Sequence, residues 1–181
     1  MRLFRNVAVA LVAALLASPV TAEDIKSGPE GKIAGPFQVK AITGEKKDTT
    51  LCYVCKFGAE ERPGVVLIFT QKADENLATL VKAVDEVQKT NAKLGTVVVG
   101  VSGVEAADFA KLQETHKLTT ALTVAEDKDD PARYKLNKEA AVTVLVYKKG
   151  GMISKSFAFK DTKAAADKAK DIAAAAAEVV K

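Results

Sequence analysis

The sequence has few of the side chains on which enzyme chemistry most often depends: its 181 residues include two cysteines and one histidine. With no G-x-S-x-G segment and only His116 to act as a base, a Ser-His-Asp hydrolase finds no support. His116 follows Leu112 by four residues and Phe109 by seven, near the end of a predicted helix. That spacing favours a histidine at a helix end or core edge over a ligand or a catalytic base.

Ligands for a metal or cofactor are equally scarce. One C-x-x-C supplies two soft ligands, whereas a closed zinc site generally uses four; Cu(I), which accepts two thiolates, is the less favoured metal alternative. The acidic run of Asp127, Asp129 and Asp130 lacks the glycine and closing glutamate of an EF-hand. A c-type haem site needs histidine after Cys55, where the sequence has Lys56. We therefore expect no cofactor and no resident metal.

The N-terminus has the pattern of a secretory leader. Arg2 and Arg5 precede an uncharged apolar run over 7–17, and the small residues Val20 and Ala22 stand at −3 and −1 of a cut before Glu23. The run is shorter than the roughly 20 residues that span a bilayer. We expect a signal peptide over 1–22, export to the periplasm or the medium, and no stable membrane anchor after cleavage. An uncleaved anchor is the alternative.

The remaining charge does not indicate a nucleic-acid partner. Loss of the two leader arginines lowers the formal net charge from +4 to +2. The other basic residues are spread among acidic ones, as in 45–48, and no basic stripe is interleaved with aromatics. No repeat or second apolar segment of membrane length follows, so we expect a flexible entry over 23–32 and one domain over 33–181. The oligomeric state is not readable.

Hydrophobic patterning predicts an α/β domain with helices on both faces of a mixed sheet. Residues 37–42 and 49–54 read as an N-terminal hairpin, and the continuous apolar runs 65–69 and 96–101 as buried strands. Further elements are a helix capped by Asp74, a helix over 105–117, a short strand over 121–125, helical turns over 129–136, a hairpin over 142–159, and an alanine-rich helix from Asp161 to about Val180.

The order of these predicted strands and helices, together with the segments 65–70 and 134–151, resembles that of proteins in the thioredoxin-like superfamily. The similarity is greatest to its redoxin branch, the TlpA-like and peroxiredoxin-like proteins, which carry an extra N-terminal hairpin. It covers roughly residues 33–180 and rests on element order more than on a signature. The resemblance implies a thioredoxin-like fold and thiol–disulfide chemistry with protein thiols or disulfides.

Two features depart from that family. Its redox cysteines open the helix after the first core strand, where helix N–H groups lower a thiol pKa, but the corresponding stretch 70–76 has no cysteine. The peroxidatic cysteine of peroxiredoxins would fall in the same stretch and is also missing. The family's cis-proline aligns with Val142, and because a non-proline cis bond costs about 2.5–4 kcal/mol, we expect Ala141–Val142 to be trans.

The candidate redox pair is therefore Cys52 and Cys55, which lie ahead of the core strands in Cys52-Tyr53-Val54-Cys55. In a strand their Cα atoms would be about 10 Å apart, beyond the roughly 7 Å that a disulfide tolerates. A bond between them requires a turn at Tyr53-Val54, or Cys55 already in a loop that begins near Lys56. Lys56 could also favour a Cys55 thiolate by its charge.

Three readings of the pair stay open. It is a redox dithiol that exchanges with partner thiols, or a structural pair in a non-catalytic binding domain, or, less favoured, a metal site. The sequence predicts an exported thioredoxin-fold protein whose only candidate redox centre is Cys52 and Cys55. If the centre is active, one cysteine attacks a partner disulfide and the other resolves the mixed disulfide. Which one attacks is not decided by the sequence, beyond a weak preference for Cys55.

Overall fold

The computed structural model describes residues 25–126 and 130–181. The predicted leader over 1–22 lies outside the described residues, as do the first two residues of the predicted entry. Asp127 and Asp129 of the acidic run are also outside them, whereas Asp130 begins a 3₁₀ turn that continues to Tyr134.

Seven strands form one mixed sheet within the described residues: β1 (Val39–Ala41), β2 (Thr50–Leu51), β3 (Gly64–Thr70), β4 (Leu94–Gly100), β5 (Ala121–Ala125), β6 (Val142–Lys148) and β7 (Ile153–Phe159). Their order across the sheet is β2-β1-β5-β4-β3-β6-β7. The three central strands β3, β4 and β5 are parallel, and the remaining pairs are antiparallel. Every residue of β3 and β4 is buried, as their continuous apolar runs predict.

The helices are α1 (Tyr53–Ala59), α2 (Glu75–Thr90), α3 (Ala106–His116), α4 (Thr162–Asp167) and α5 (Ala169–Glu178). Asp74 and Asp161 cap α2 and α4 through their side chains, as predicted for both residues. The alanine-rich C-terminal helix is divided at Lys168 into α4 and α5. Its small buried face lies close to the sheet, where a Cβ on Gly64 would come within 2.4 Å of the Val179 side chain.

The sheet separates two hydrophobic cores. Helices α2, α3, α4 and α5 cover one face, with Leu80, Phe109 and Ile172 fully buried among them. On the other face lie α1, the 3₁₀ turn and extended chain. Their aromatic residues Phe37, Tyr53, Phe57 and Tyr134 belong to one buried cluster with Phe69 of β3. The prediction of helices on both faces of a mixed sheet is confirmed, although the two layers differ greatly in helical content.

The predicted second strand of the N-terminal hairpin is wrong beyond Leu51. Residues 53–59 form the helix α1, where the sequence indicated first strand and then loop. Tyr53 and Phe57 stand one helical turn apart and are 7% and 5% exposed. Burial of both rings on the sheet outweighs the β-propensity of the Tyr53-Val54 segment.

The described part of the predicted entry lies against the end of the sheet. Ser27 Oγ is 2.7 Å from Thr143 Oγ1 and accepts a hydrogen bond from the Asn137 N–H. Lys32 forms an isolated bridge with Met152. These contacts place residues 25–32 along β6 and β7, on the same face of the sheet as α1.

Because α1 lies very close to the sheet at Gly95, adding one methyl group there should lower stability. A Cβ added at Gly95 in β4 would lie 3.0–3.1 Å from three carbon atoms of the Phe57 ring. We expect Gly95→Ala to lower the free energy of unfolding by roughly 1–3 kcal/mol through overpacking. Denaturant unfolding monitored by circular dichroism measures the change.

Gly58→Ala is the matched control, because a Cβ at Gly58 meets nothing within 4 Å. Replacing glycine inside a helix should leave stability unchanged or raise it by about 0.5–1 kcal/mol. Equal effects of the two substitutions would contradict a close Phe57–Gly95 contact.

Candidate functional site

Cys52 and Cys55 form a disulfide. Their Cα atoms are 5.2 Å apart, within the range that a disulfide spans. The first turn of α1 provides this separation, because residues three apart on a helix lie on the same side. The turn that the sequence required at Tyr53-Val54 is therefore helical.

Cys52 is the N-cap of α1. Its backbone is extended, and its Sγ accepts a hydrogen bond from the Cys55 N–H at 3.0 Å. Its carbonyl accepts the first helical hydrogen bond, from the Lys56 N–H at 2.9 Å. A side-chain oxygen usually satisfies such an N–H group, and here a sulfur takes its place.

The two sulfur-bearing residues differ in exposure. Cys52 is 9% exposed and lies between the sheet edge and Tyr53, whereas Cys55 is exposed on the outer side of α1. Tyr53 and Phe57 hold the helix to the sheet, with ring centroids 5.6 Å apart. Burial raises the pKa of the Tyr53 phenol, and the negative charge of Glu45 raises it further. The tyrosine between the cysteines therefore stays neutral at physiological pH.

Strand register places the start of α1 near the edge where the parallel strands end. Leu51 pairs with Val39, and Val39 pairs with Ala125, the last residue of β5. Thr50 Oγ1 donates to Glu126 Oε2 at 3.1 Å, which ties β2 to the chain that follows β5. Carboxyl ends of parallel strands are where α/β sheets usually carry their sites. The disulfide follows β2 directly at this edge.

Lys56 makes its strongest contacts away from the disulfide. Its Nζ donates to Glu60 Oε1 at 2.5 Å, and Arg62 Nε donates to Glu60 Oε2 at 2.7 Å. Both cationic groups lie 5.7 Å from the centre of the Phe57 ring. The hydrogen bond from Lys56, followed by that from Arg62, lowers the pKa of the Glu60 carboxyl. The sequence suggested that the positive charge of Lys56 could stabilise a Cys55 thiolate. In the structure this charge is paired with Glu60 at the end of α1.

A groove of about 370 Å³ runs beside α1. Val54, Phe57 and Gly58 line it from the helix, and Ile33 and Tyr147 line it from the opposite side. Val54 lies between the two cysteines in sequence, but neither cysteine is among the residues that line the groove.

The stretch 70–76, where the sequence resemblance would place redox cysteines, is occupied by structural hydrogen bonds. Gln71 Nε2 donates to the Ala140 and Lys138 carbonyls at 2.9 and 3.1 Å. Asp74 accepts from the Leu77 N–H and from Thr162 Oγ1. These contacts fix the start of α2 and offer no sulfur chemistry.

The prediction for the Ala141–Val142 peptide bond can be compared with the structure. The described residues contain no cis peptide bond, so Ala141–Val142 is trans as expected. A second cavity of about 390 Å³ lies beside Gln71, at the carboxyl ends of β4 and β5, and its lining contains no cysteine or histidine.

His116 ends α3, as its position in the predicted helix indicated. Its Nε2 lies 2.9 Å from Glu75 Oε2, although the angle is not that of a hydrogen bond. Across residues 25–126 and 130–181, no three side chains of the His, Cys, Asp and Glu types are grouped to hold a metal ion. Within the same ranges, no helix has the length and apolar character needed to cross a membrane.

The comparisons show what this chain is similar to. No protein-family model and no curated protein matches the sequence. A secreted thiol-disulfide isomerase from Corynebacterium glutamicum superposes with a TM-score of 0.62 at 14% identity, over 90% of this chain and 95% of the other. Peroxidoxin BcpB from Mycobacterium tuberculosis superposes with a TM-score of 0.57 at 17% identity, over 83% and 97%.

A secreted disulfide oxidoreductase from Mycobacterium tuberculosis also matches, with a TM-score of 0.54 at 16% identity, over 77% of this chain and 95% of the other. Together with the mixed sheet and flanking helices, these structures confirm the thioredoxin-like fold that the sequence resemblance implied. At such low identity the likeness shows the fold alone. The chemistry of this chain has to be argued from its own residues.

The contacts of Glu60 predict a small pH-dependent stabilisation of α1. Because the folded-state pKa of Glu60 is lowered, its carboxylate stabilises the fold above the ordinary glutamate pKa, and this contribution is lost as the pH falls through the lowered value. The pair is partly exposed and screened, so Glu60→Gln should cost well under about 1 kcal/mol at pH 7. Urea unfolding at pH 7 and at pH 3 measures the difference, which should be smaller at pH 3 than at pH 7. A difference that does not fall between these pH values would contradict this account.

Proposed function

We propose that the protein is an exported thiol–disulfide redox protein that exchanges with protein thiols or disulfides through Cys52 and Cys55. The observation that carries the proposal is the disulfide across the first turn of α1, in which Cys52 is a buried residue and Cys55 an exposed one. Exchange requires a thiolate to reach one sulfur of a disulfide and to displace the other. This arrangement provides an accessible sulfur and a leaving sulfur with a hydrogen-bond donor.

The position of α1 supports reversible opening of the bond. Tyr53 and Phe57 keep the helix on the sheet through contacts that do not involve the disulfide. Cys52 and Cys55 would therefore stay on the same helical turn after reduction, ready to close again. The Cys55 N–H would continue to face Cys52 Sγ, where it favours the thiolate form.

The comparisons support the class of partner. Two of the similar structures are described as a secreted thiol-disulfide isomerase and a secreted disulfide oxidoreductase. Export of this chain rests on the leader pattern over 1–22, and an oxidising compartment is where a disulfide persists. The proposed mature protein consists of the entry over 23–32 and the domain over 33–181.

The alternative is a non-catalytic binding domain in which the disulfide is structural. Burial of Cys52 and the absence of cysteine from 70–76 favour it. Closing so short a loop contributes about 2 kcal/mol in the chain-entropy treatment. Cu(I) bound by the reduced pair is the less favoured third reading.

The deciding experiment measures thiol content and turnover in the same preparations. The mature protein is alkylated with and without reductant and its intact mass determined, and reduction of insulin by dithiothreitol is followed for the wild type, Cys52→Ser and Cys55→Ser. We expect two thiols to appear on reduction and each substitution to lower turnover at least tenfold. Turnover that is absent, or unchanged in both variants, would remove the redox proposal.

Unfolding in denaturant provides the control for folding. If the pair is structural, both variants should lose about 2 kcal/mol while no preparation turns over insulin. Metal analysis of the reduced protein, before and after alkylation of the thiols, tests the third reading. Copper that is lost on alkylation would favour it.

A further inference from the structure

We propose that exchange at this site has a fixed direction: the partner's sulfur enters at Cys55, and Cys52 is the leaving and resolving sulfur. The inference rests on the proposed function and deepens it. Two independent observations point the same way, the access to each sulfur and the stabilisation of each thiolate.

Access favours Cys55. Cys55 is exposed, and its helical neighbours Gly58 and Ala59, three and four positions on, are exposed and small. A Cβ at Gly58 would meet nothing within 4 Å. Cys52 is 9% exposed and precedes the buried Tyr53. An incoming thiolate would therefore approach Cys55 across the small, exposed residues Gly58 and Ala59.

Thiolate stabilisation favours Cys52 as the leaving group. The Cys55 N–H donates to Cys52 Sγ at 3.0 Å, so negative charge on Cys52 is stabilised as the bond breaks. A thiol with a lower pKa leaves faster in exchange. Attack at Cys52 would instead release Cys55, whose sulfur receives no such donor in the described contacts. The nearest cationic side chain in sequence, Lys56, is engaged by Glu60.

The step balances in atoms and electrons. A thiolate of a partner dithiol attacks Cys55 Sγ, the Cys52–Cys55 bond breaks, and its electron pair stays on Cys52 as a thiolate. The partner's second thiolate then attacks the partner sulfur of the mixed disulfide and releases Cys55. The partner is oxidised by two electrons to a disulfide, and the pair takes up those electrons and two protons. In the reverse direction Cys55 attacks the partner disulfide and Cys52 resolves it.

The test maps the first adduct in the wild-type protein. The oxidised protein is mixed with limiting cysteamine, quenched with N-ethylmaleimide, and analysed by fragmentation mass spectrometry of the peptide that contains both cysteines. We expect cysteamine on Cys55 and maleimide on Cys52, in at least tenfold excess over the opposite arrangement. An adduct on Cys52, or an even mixture, would overturn the inference.

The single variants provide a second measurement. Cys52→Ser should form a stable mixed disulfide with a disulfide-containing peptide at least tenfold faster than Cys55→Ser, with both shown to be folded by circular dichroism. Faster trapping by Cys55→Ser would contradict the proposed direction. Insulin turnover separates the two proposals. Turnover with the adduct on Cys52 would overturn only the direction, whereas absent turnover with the adduct on Cys55 would remove only the function.

A larger side chain beside Cys55 tests whether access of the attacking thiol to Cys55 limits exchange. Gly58→Leu adds a side chain one helical turn from Cys55, and Ala110→Leu adds the same group to an exposed position of α3, on the opposite face of the sheet. We expect Gly58→Leu to slow cysteamine exchange several-fold and Ala110→Leu to leave it unchanged. Equal rates in both variants would contradict entry at Cys55.

Discussion

The contact between Phe57 and Gly95 is the constraint on which the site depends. Because Gly95 has no side chain, the Phe57 ring lies directly on β4, and Tyr53 lies one turn earlier against the same core. These two rings make residues 53–59 a helix. The helix in turn brings Cys52 and Cys55 to a Cα separation of 5.2 Å, about half of what an extended chain would give. A backbone approach in the core thus determines whether the Cys52–Cys55 disulfide can form.

The same requirement for a helical N-terminus explains how a C-x-x-C pair can lie outside the stretch 70–76. Thiol chemistry needs N–H groups that face a sulfur, and the first turn of any well-anchored helix supplies them. In this chain α2 begins with Asp74, whose carboxylate already accepts the Leu77 N–H. The turn of α1 has no acidic cap, and Cys52 Sγ takes that position. Both helices begin near the carboxyl edge of the parallel strands. The cysteines therefore lie at the edge that the sequence resemblance implied, but on α1 instead of α2.

Much of the fold could be predicted from the sequence, because its elements carry strong local signals. Continuous apolar runs marked β3 and β4, and helical spacing marked α2 with its cap at Asp74. The helix α1 could not be predicted in the same way: it has seven residues, two strand formers near its start and a glycine near its end. Its anchor, Gly95, lies about forty positions away in sequence. A glycine inside a buried strand often marks a close approach, and that was the one available signal.

The energies of α1 bear on whether the disulfide is structural or reversible. Burial of an aromatic or large aliphatic side chain contributes roughly 1.5–3 kcal/mol, so Tyr53 and Phe57 together exceed the 2 kcal/mol or so that closure of this short loop provides. The helix is therefore held mainly by packing, and it keeps most of its anchor when the bond opens. A disulfide that adds less to the anchoring of its helix than packing does, with Cys55 exposed and Cys52 Sγ supplied with an N–H donor, is suited to exchange. This balance favours the redox proposal over a structural role.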